Sequence, residues 1–233
     1  MRDAFHHRLD VLVLQLARMC DQAALAMRRA TDALLDGDIR LAEQVIADEA
    51  TVNQTRTRIE QDAQTLLALQ SPVAKDLRVI VTALRSAEHV ERMGELAHHV
   101  ALAVLRRHPE PVLPVPLWSR FERMGSIAVR MAGTTGKVVR ERDLSLARSL
   151  GEADAEMDEL HQSLFALIGY RKWTFGVSAA VEATLLSRYY ERFADHAVAV
   201  AERTAFVETG KEIVPPRTDR VRAPSVLAAR GLH

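Results

Sequence analysis

Several residue types are scarce in this chain of 233 residues, and each scarcity excludes a class of protein. The single cysteine, Cys20, excludes an internal disulfide framework and favours a reducing compartment. Aromatic residues make up only 5%, and runs of β-branched or aromatic residues of strand length are few, which argues against a β-sheet fold. Ala, Leu, Val and Arg are abundant instead, and this composition predicts an all-α protein.

An excess of charge and a long apolar segment are also missing. Lys+Arg and Asp+Glu both number 31, so the chain carries no net charge that would hold nucleic acid. No stretch of about 18 apolar residues is available to span a membrane, and the N-terminus lacks a signal-peptide core. We therefore expect a soluble cytoplasmic protein that binds no nucleic acid.

Apolar residues that recur every three to four positions predict six long helices. Gly37 suits a left-handed position after the first helix, and Asp38 and Asp143 suit the N-caps of the second and fifth helices. The expected helices span about 3–35, 39–70, 73–107, 117–140, 143–168 and 176–209.

The two halves of the chain repeat one another. An offset of 105 residues superposes Asp38 on Asp143, and an offset of 100 superposes Arg92 on Arg192. Because a repeat predicts repeated structural units, we expect two tandem three-helix bundles, each running up, down and up. The expected boundaries are residues 3–107 for the first bundle, 108–116 for a stiff proline-rich linker, 117–209 for the second bundle, and 210–233 for a disordered tail.

Polar pairs spaced four residues apart occupy the same register in both halves. The two sets of four are Glu49, Asn53, Glu91 and Glu95, then Asp154, Asp158, Glu191 and Asp195. Residues four apart lie on one helix face, and Glu49 and Asp154 interrupt apolar stripes, where a buried carboxylate needs a partner or a metal. Two facing pairs therefore predict an oxygen-rich metal site in each bundle, weaker in the first because Asn53 replaces an acid.

Other interpretations of these residues stay open. Arginines near the acids could neutralise them and turn the pairs into salt-bridged helix faces: Arg56, Arg92 and Arg192. His98 and His99 could add nitrogen ligands to the first site, although their repeat counterparts, Val198 and Ala199, give no support for this role. We expect a structural role for His89 and His196, which have no matching partner in the repeat.

From about residue 5 to residue 209, the chain resembles the PhoU family of bacterial regulators of phosphate uptake. The resemblance rests on Pro72-x-x-x-Asp76-Leu77-Arg78, Val90-Glu91-Arg92-Met93-Gly94-Glu95 and Glu191-Arg192-Phe193-Ala194-Asp195-His196. The last two motifs are similar to the family's LERIGD pattern. This chain departs from the pattern by Glu95 in place of Asp and by Phe193-Ala194 in place of Ile-Gly.

The resemblance implies an adaptor and not an enzyme. PhoU proteins are tandem three-helix bundles that often dimerise, and they bind iron, zinc, manganese or magnesium at the acidic motifs. They link a phosphate ABC transporter, through its ATPase, to a membrane sensor histidine kinase, and they keep the phosphate-starvation response off when phosphate is abundant. The resemblance thus implies a homodimer that holds divalent or ferric ions at the eight residues above and reaches the membrane only through its partners.

Two alternatives belong to other functional classes. A ferritin-like di-metal oxidase also places carboxylates on facing helices, but it needs a Glu-x-x-His pair from each of two helices, and this chain offers one, at Glu95 and His98. The second alternative is a structural helical bundle that works without metal. A metal assay would separate that bundle from the adaptor, and an oxygen-uptake assay would test the oxidase.

Overall fold

The computed structural model describes residues 2–169 and 173–210, and within that part of the chain every long element is a helix. The helices are α1 (Arg2–Asp36), α2 (Ile39–Gln70), α3 (Ala74–Arg107), α4 (Trp118–Glu141), α5 (Leu144–Ile168) and α6 (Gly176–Thr209). The predicted all-α fold is confirmed, and each helix boundary lies within two residues of its expected position. The predicted disordered tail lies outside the described residues except for Gly210.

Local sequence signals explain where the helices begin and end. Gly37 has φ +68°, a left-handed conformation that glycine adopts without steric cost. Asp38 caps α2 by accepting the N–H of Leu41 at 3.1 Å, and Asp143 caps α5 by accepting the N–H of Ser145 at 2.7 Å. The two caps occupy equivalent repeat positions, so the second helix of each bundle starts in the same way.

The proline-rich segment after α3 is packed against the protein. Val112 and Leu113 are buried, and the Trp118 indole donates a hydrogen bond to the Leu113 carbonyl at 3.1 Å. A short 3-10 helix (Val115–Leu117) then leads into α4. The division of the chain into a first bundle, a linker and a second bundle at 107 and 117 stays a prediction.

Within each bundle, sequential helices pack antiparallel, which confirms the up-down-up order. In the first bundle, Arg29 of α1 pairs with Asp48 of α2 at 2.8 Å, and Arg56 of α2 pairs with Glu91 of α3 at 3.2 Å. Small residues along one face of α3 are buried, and Gly94 among them faces Val52 of α2. Close helix contact of this kind needs small residues at the crossing.

The two bundles also pack against each other, α1 against α4 and α3 against α6, and their buried side chains form one continuous core. The start of α3 meets the end of α6, where Lys75 pairs with Glu208 at 2.7 Å, so these equivalent helices run antiparallel. The halves are therefore related by a pseudo-two-fold axis. None of the described helices is long and apolar enough to cross a membrane.

Candidate functional site

In the first bundle, the acids on α2 and α3 contact basic side chains. Arg56 Nε lies 3.2 Å from Glu91 Oε2, and Arg92 Nη1 lies 2.5 Å from Glu95 Oε2. His98 Nδ1 lies 2.5 Å from Glu49 Oε2. Each of the three carboxylates thus has a basic neighbour, which is the salt-bridged arrangement that the sequence left open.

Burial and the charge of Arg56 act in opposite directions on the pKa of Glu91. Partial burial raises the pKa of this carboxyl, and the neighbouring Glu95 adds to the rise, whereas the Arg56 guanidinium opposes both. Asn53, the fourth predicted ligand of this bundle, is exposed on α2. Asn53 is therefore more exposed than the three partly buried acids.

The second bundle places its acids differently, with Asp154 in a partly buried position on α5. Burial, together with the negative charges of Asp158, Asp195 and Glu191, raises the pKa of Asp154 to about 7. Glu191 is almost fully buried, and Arg188 Nη1 lies 2.5 Å from its Oε2. The four predicted ligands of this bundle therefore form one electrostatically coupled acidic cluster across α5 and α6.

The donor chemistry of this cluster fits a hard cation, because all four side chains offer carboxylate oxygens and a cation would relieve their mutual repulsion. In the structure the side chains do not close into a ligand set. Among the described residues, no three His, Cys, Asp or Glu side chains converge in a group that could hold a metal ion. Metal binding at the eight residues therefore stays a prediction, and the second bundle fits it better than the first.

His98 lies beside the acids although the repeat gave no support for a role. His98 contacts Glu49 of α2, whereas Glu95 contacts Arg92 of its own helix. The one Glu-x-x-His pair of the chain is therefore split between two separate contacts. Sequence spacing could have suggested this, because Glu49 and His98 lie at matching heights on the antiparallel α2 and α3.

His89 and His196 form a contact that sequence reasoning missed. Their Nδ1 atoms lie 3.0 Å apart across the α3–α6 interface, and Arg203 Nε donates to His89 Nε2 at 3.3 Å. With Nε2 as an acceptor, the neutral His89 donates from Nδ1 to His196. Burial lowers the pKa of both histidines, that of His196 to about 4.

The position of this pair explains why it was missed. Under the repeat, position 89 corresponds to Tyr189 and position 196 corresponds to Leu96, so neither histidine has a histidine counterpart. The two rings meet only because α3 and α6 pack antiparallel across the pseudo-two-fold axis. A search by repeat equivalence compares positions along the chain and cannot find contacts between non-equivalent positions.

Comparison with known proteins finds a match to one family in both halves of the chain. The model of the PhoU domain family matches residues 16–104 and 121–204. Phosphate-specific transport system accessory protein PhoU homolog 1 of Mycobacterium leprae is 49% identical over 210 residues, which cover 90% of this chain and 95% of that protein. PhoU homolog 2 of Mycobacterium tuberculosis is 48% identical over 210 residues, which cover 90% of this chain and 99% of that protein.

Solved structures share the fold at lower sequence identity. The crystal structure of the phosphate transport system regulatory protein PhoU from Streptococcus pneumoniae has a TM-score of 0.81, 24% identity, and coverage of 91% of this chain and 100% of that one. The crystal structure of PhoU from Pseudomonas aeruginosa has a TM-score of 0.79 and 24% identity, and the match covers 89% of this chain and 100% of that one. These similarities support the two-bundle helical architecture.

Proposed function

The chain belongs to the PhoU family, and on this premise we propose that it is a non-enzymatic regulator of a phosphate transport system. In this role it is a cytoplasmic adaptor between the phosphate ABC transporter and a sensor histidine kinase, and it holds the phosphate-starvation response off when phosphate is abundant. Family membership over most of the chain is the observation that carries the proposal.

The acidic cluster of the second bundle is the proposed metal site of this adaptor. Its ligands are Asp154, Asp158, Glu191 and Asp195. Burial and the neighbouring negative charges raise the pKa of Asp154, and a cation would compensate those charges. The corresponding first-bundle residues, Glu49, Asn53, Glu91 and Glu95, form the weaker proposed site, because Asn53 offers an amide in place of a fourth carboxylate. The expected ions are divalent or ferric.

Elemental analysis of protein purified without chelator tests the metal proposal. We expect bound divalent or ferric ions, and we expect the double change Asp154→Asn and Asp158→Asn to remove most of them. The matched first-bundle change, Glu49→Gln, should remove little, because Glu49 is engaged with His98. If the double variant keeps the wild-type metal content, the acids serve as a charged helix face only.

A reporter for phosphate-starvation genes tests the regulatory proposal. Deletion of the gene should switch the reporter on in phosphate-rich medium, and a plasmid copy of the wild-type gene should switch it off again. If repression persists in the deletion strain, a second strain that also lacks any paralogue tests whether the paralogue substitutes for this chain. Normal repression in that double deletion would show that the chain has another function.

A further inference from the structure

Four arginines and one histidine follow each other along α3 at a strict seven-residue spacing. We call them the α3 basic row: Arg78, Arg85, Arg92, His99 and Arg106. Seven residues are almost two helical turns, so the members lie along one face of the helix at intervals of ~10.5 Å, over ~42 Å in all. Arg78 is partly buried, and the other four members are exposed.

The internal repeat shows that the fold does not require this row. The repeat counterpart of α3 is α6, which has the same length of 34 residues. Arg92 keeps a basic counterpart, Arg192, whereas the other four positions of the row correspond to Ser178, Leu185, Ala199 and Phe206. Since α6 packs in an equivalent way without a row, the repeated charge on α3 is not a requirement of the helix or of its packing.

The row follows the side of α3 that borders α6. Near one end, Arg78 Nη2 donates to the Val207 carbonyl of α6 at 3.4 Å. Near the other end, Arg106 Nη2 lies 3.9 Å from Glu182 Oε2 of α6. The side chains of Arg92 and Arg106 are still 62% and 55% exposed, and ion pairs so exposed hold their arginines only weakly. The row is therefore open to a partner that lies along α3.

A shorter basic row on α4 is already matched within its own bundle. Arg123, Arg130 and Lys137 also recur every seven residues. Arg123 Nη2 lies 2.5 Å from Glu156 Oε1, and Arg130 Nη2 lies 3.6 Å from Glu156 Oε2. One carboxylate of α5 thus serves two of the three members, which leaves the α3 basic row as the longer array of available charge.

Acidic side chains on both sides of the row limit the width of a partner. The helix contacts place α2, α3, α6 and α5 side by side in that order. Glu49 and Glu91 line the contact of α2 with α3, and the cluster around Asp154 spans α5 and α6. Duplex nucleic acid or an anionic membrane would meet these acids together with the row, and like charges in an interface repel. The row therefore suits an anionic partner about one helix, or about 10 Å, wide.

The seven-residue spacing indicates that this partner is itself helical. Two helices that cross at a shallow left-handed angle present side chains to each other every seven residues. From the spacing, the charge and the width together, we propose that the α3 basic row docks an acidic helix of a partner protein, with a carboxylate at every second turn. This proposal rests on the proposed adaptor function, because an adaptor needs a protein partner.

Fluorescence anisotropy with a synthetic helix tests the proposal. The probe is a fluorescein-labelled peptide of about 30 residues, rich in Ala and Gln, with Glu at every seventh position. The comparison peptide has Lys at the same positions. We expect the wild-type chain to bind the Glu peptide at least ~10-fold more tightly than the Lys peptide at low salt, and we expect added salt to weaken that binding.

Changes at exposed positions locate the binding on α3. Arg85→Gln with Arg92→Gln should weaken binding of the Glu peptide by ~10-fold or more, because it removes two charges from the centre of the row. Glu88→Gln should tighten binding, because this exposed acid lies one turn from both arginines. The matched control, Arg18→Gln with Arg28→Gln, removes the same charge from exposed positions of α1 and should bind like the wild type. Circular dichroism checks that each variant is folded.

Three results would each overturn the docking surface: no binding of the Glu peptide, equal binding of both peptides, or an equal loss of binding in the α1 control. The reporter for phosphate-starvation genes separates this failure from failure of the proposed function. A derepressed deletion strain together with any of the three peptide results would refute the docking surface alone. Normal repression in the double deletion together with the expected peptide results would refute the adaptor function alone.

Discussion

Asp154 and its repeat counterpart Glu49 occupy equivalent positions, but their carboxylates have different neighbours. Glu49 has a histidine 2.5 Å away, whereas Asp154 is surrounded by Asp158, Asp195 and Glu191. Burial together with these like charges raises the pKa of Asp154 to about 7. The carboxyl is therefore partly protonated near neutral pH when no cation is bound.

This shift predicts a pH-dependent stability in chelator. The folded chain holds the Asp154 proton up to about pH 7, while the unfolded chain releases it near its ordinary pKa of 3.8. The folded state therefore binds more protons between these values, and the free energy of unfolding falls as the pH rises from about 4 to 7. After allowance for partial exposure, we expect a fall of about 1 kcal/mol, or about 2–4 °C in Tm.

Thermal unfolding in EDTA between pH 5 and pH 8 measures this effect. Asp154→Asn should flatten the pH dependence because it removes the titrating group. Glu152→Gln, an exposed neighbour on α5, should keep the wild-type slope. A wild-type Tm that stays constant or rises across this range would contradict the assignment to Asp154.

At the scale of helices, the contact between α1 and α4 joins the two bundles. Gly125 of α4 lies against Thr31 of α1, and a Cβ added at Gly125 would come within 2.4 Å of Thr31 Cγ2. Thr31 is itself held in place, because its hydroxyl lies 2.9 Å from the Tyr190 hydroxyl and donates to the Met27 carbonyl at 2.8 Å. This contact leaves no room for a side chain.

Two glycines of α4 should therefore respond in opposite ways to alanine. Gly125→Ala should lower the free energy of unfolding by about 1–3 kcal/mol, because overpacking must displace the hydrogen-bonded Thr31. Gly133→Ala, in the same helix with nothing near its added Cβ, should raise it by up to about 1 kcal/mol through helix propensity. Urea unfolding of both variants compares them, and an equal response would refute the tight α1–α4 contact.

At the scale of the whole molecule, two bundles of one architecture share a core but differ in charge. The three first-bundle acids each contact a basic side chain, whereas the four second-bundle acids form a coupled cluster in which Glu191 contacts Arg188. Any ion that binds the second cluster only in the folded chain stabilises the whole molecule, because the bundles share one core.

Removal of metal should therefore lower the stability of the whole chain. With metal at about 100 times its Kd, binding contributes about 2.7 kcal/mol, so EDTA should lower the Tm by several degrees at neutral pH. The Asp154→Asn and Asp158→Asn double variant should not respond to EDTA. An unchanged or higher wild-type Tm in EDTA would argue against a structural metal.

A chain that ends at Gly210 should keep the fold and the regulatory activity. All the contacts described above lie within residues 2–210, and Gly210, with φ +66°, closes the last turn of α6. Its Tm and its repression in the reporter assay should equal those of the full chain. Loss of repression with an unchanged Tm would identify residues 211–233 as a functional contact.

The sequence by itself determined the helices, their caps and the duplication. These features depend on neighbours within about four positions, which is the range over which helix periodicity and capping act. Asp38 and Asp143 were therefore identifiable as caps, and Gly37 as the left-handed position, before any packing was known. The equivalent repeat positions of the eight polar residues could be identified from the sequence for the same reason.

Only the tertiary structure decided which side chains those polar residues contact and how strongly burial and charge shift their pKa values. The contacts of Glu91 with Arg56 and of Glu49 with His98 join different helices, as does the pair of His89 and His196. Such contacts depend on how antiparallel helices align and on how much water their packing excludes. Burial and charge act over distances in space, so two equivalent positions along the chain can differ in pKa, partners and chemistry.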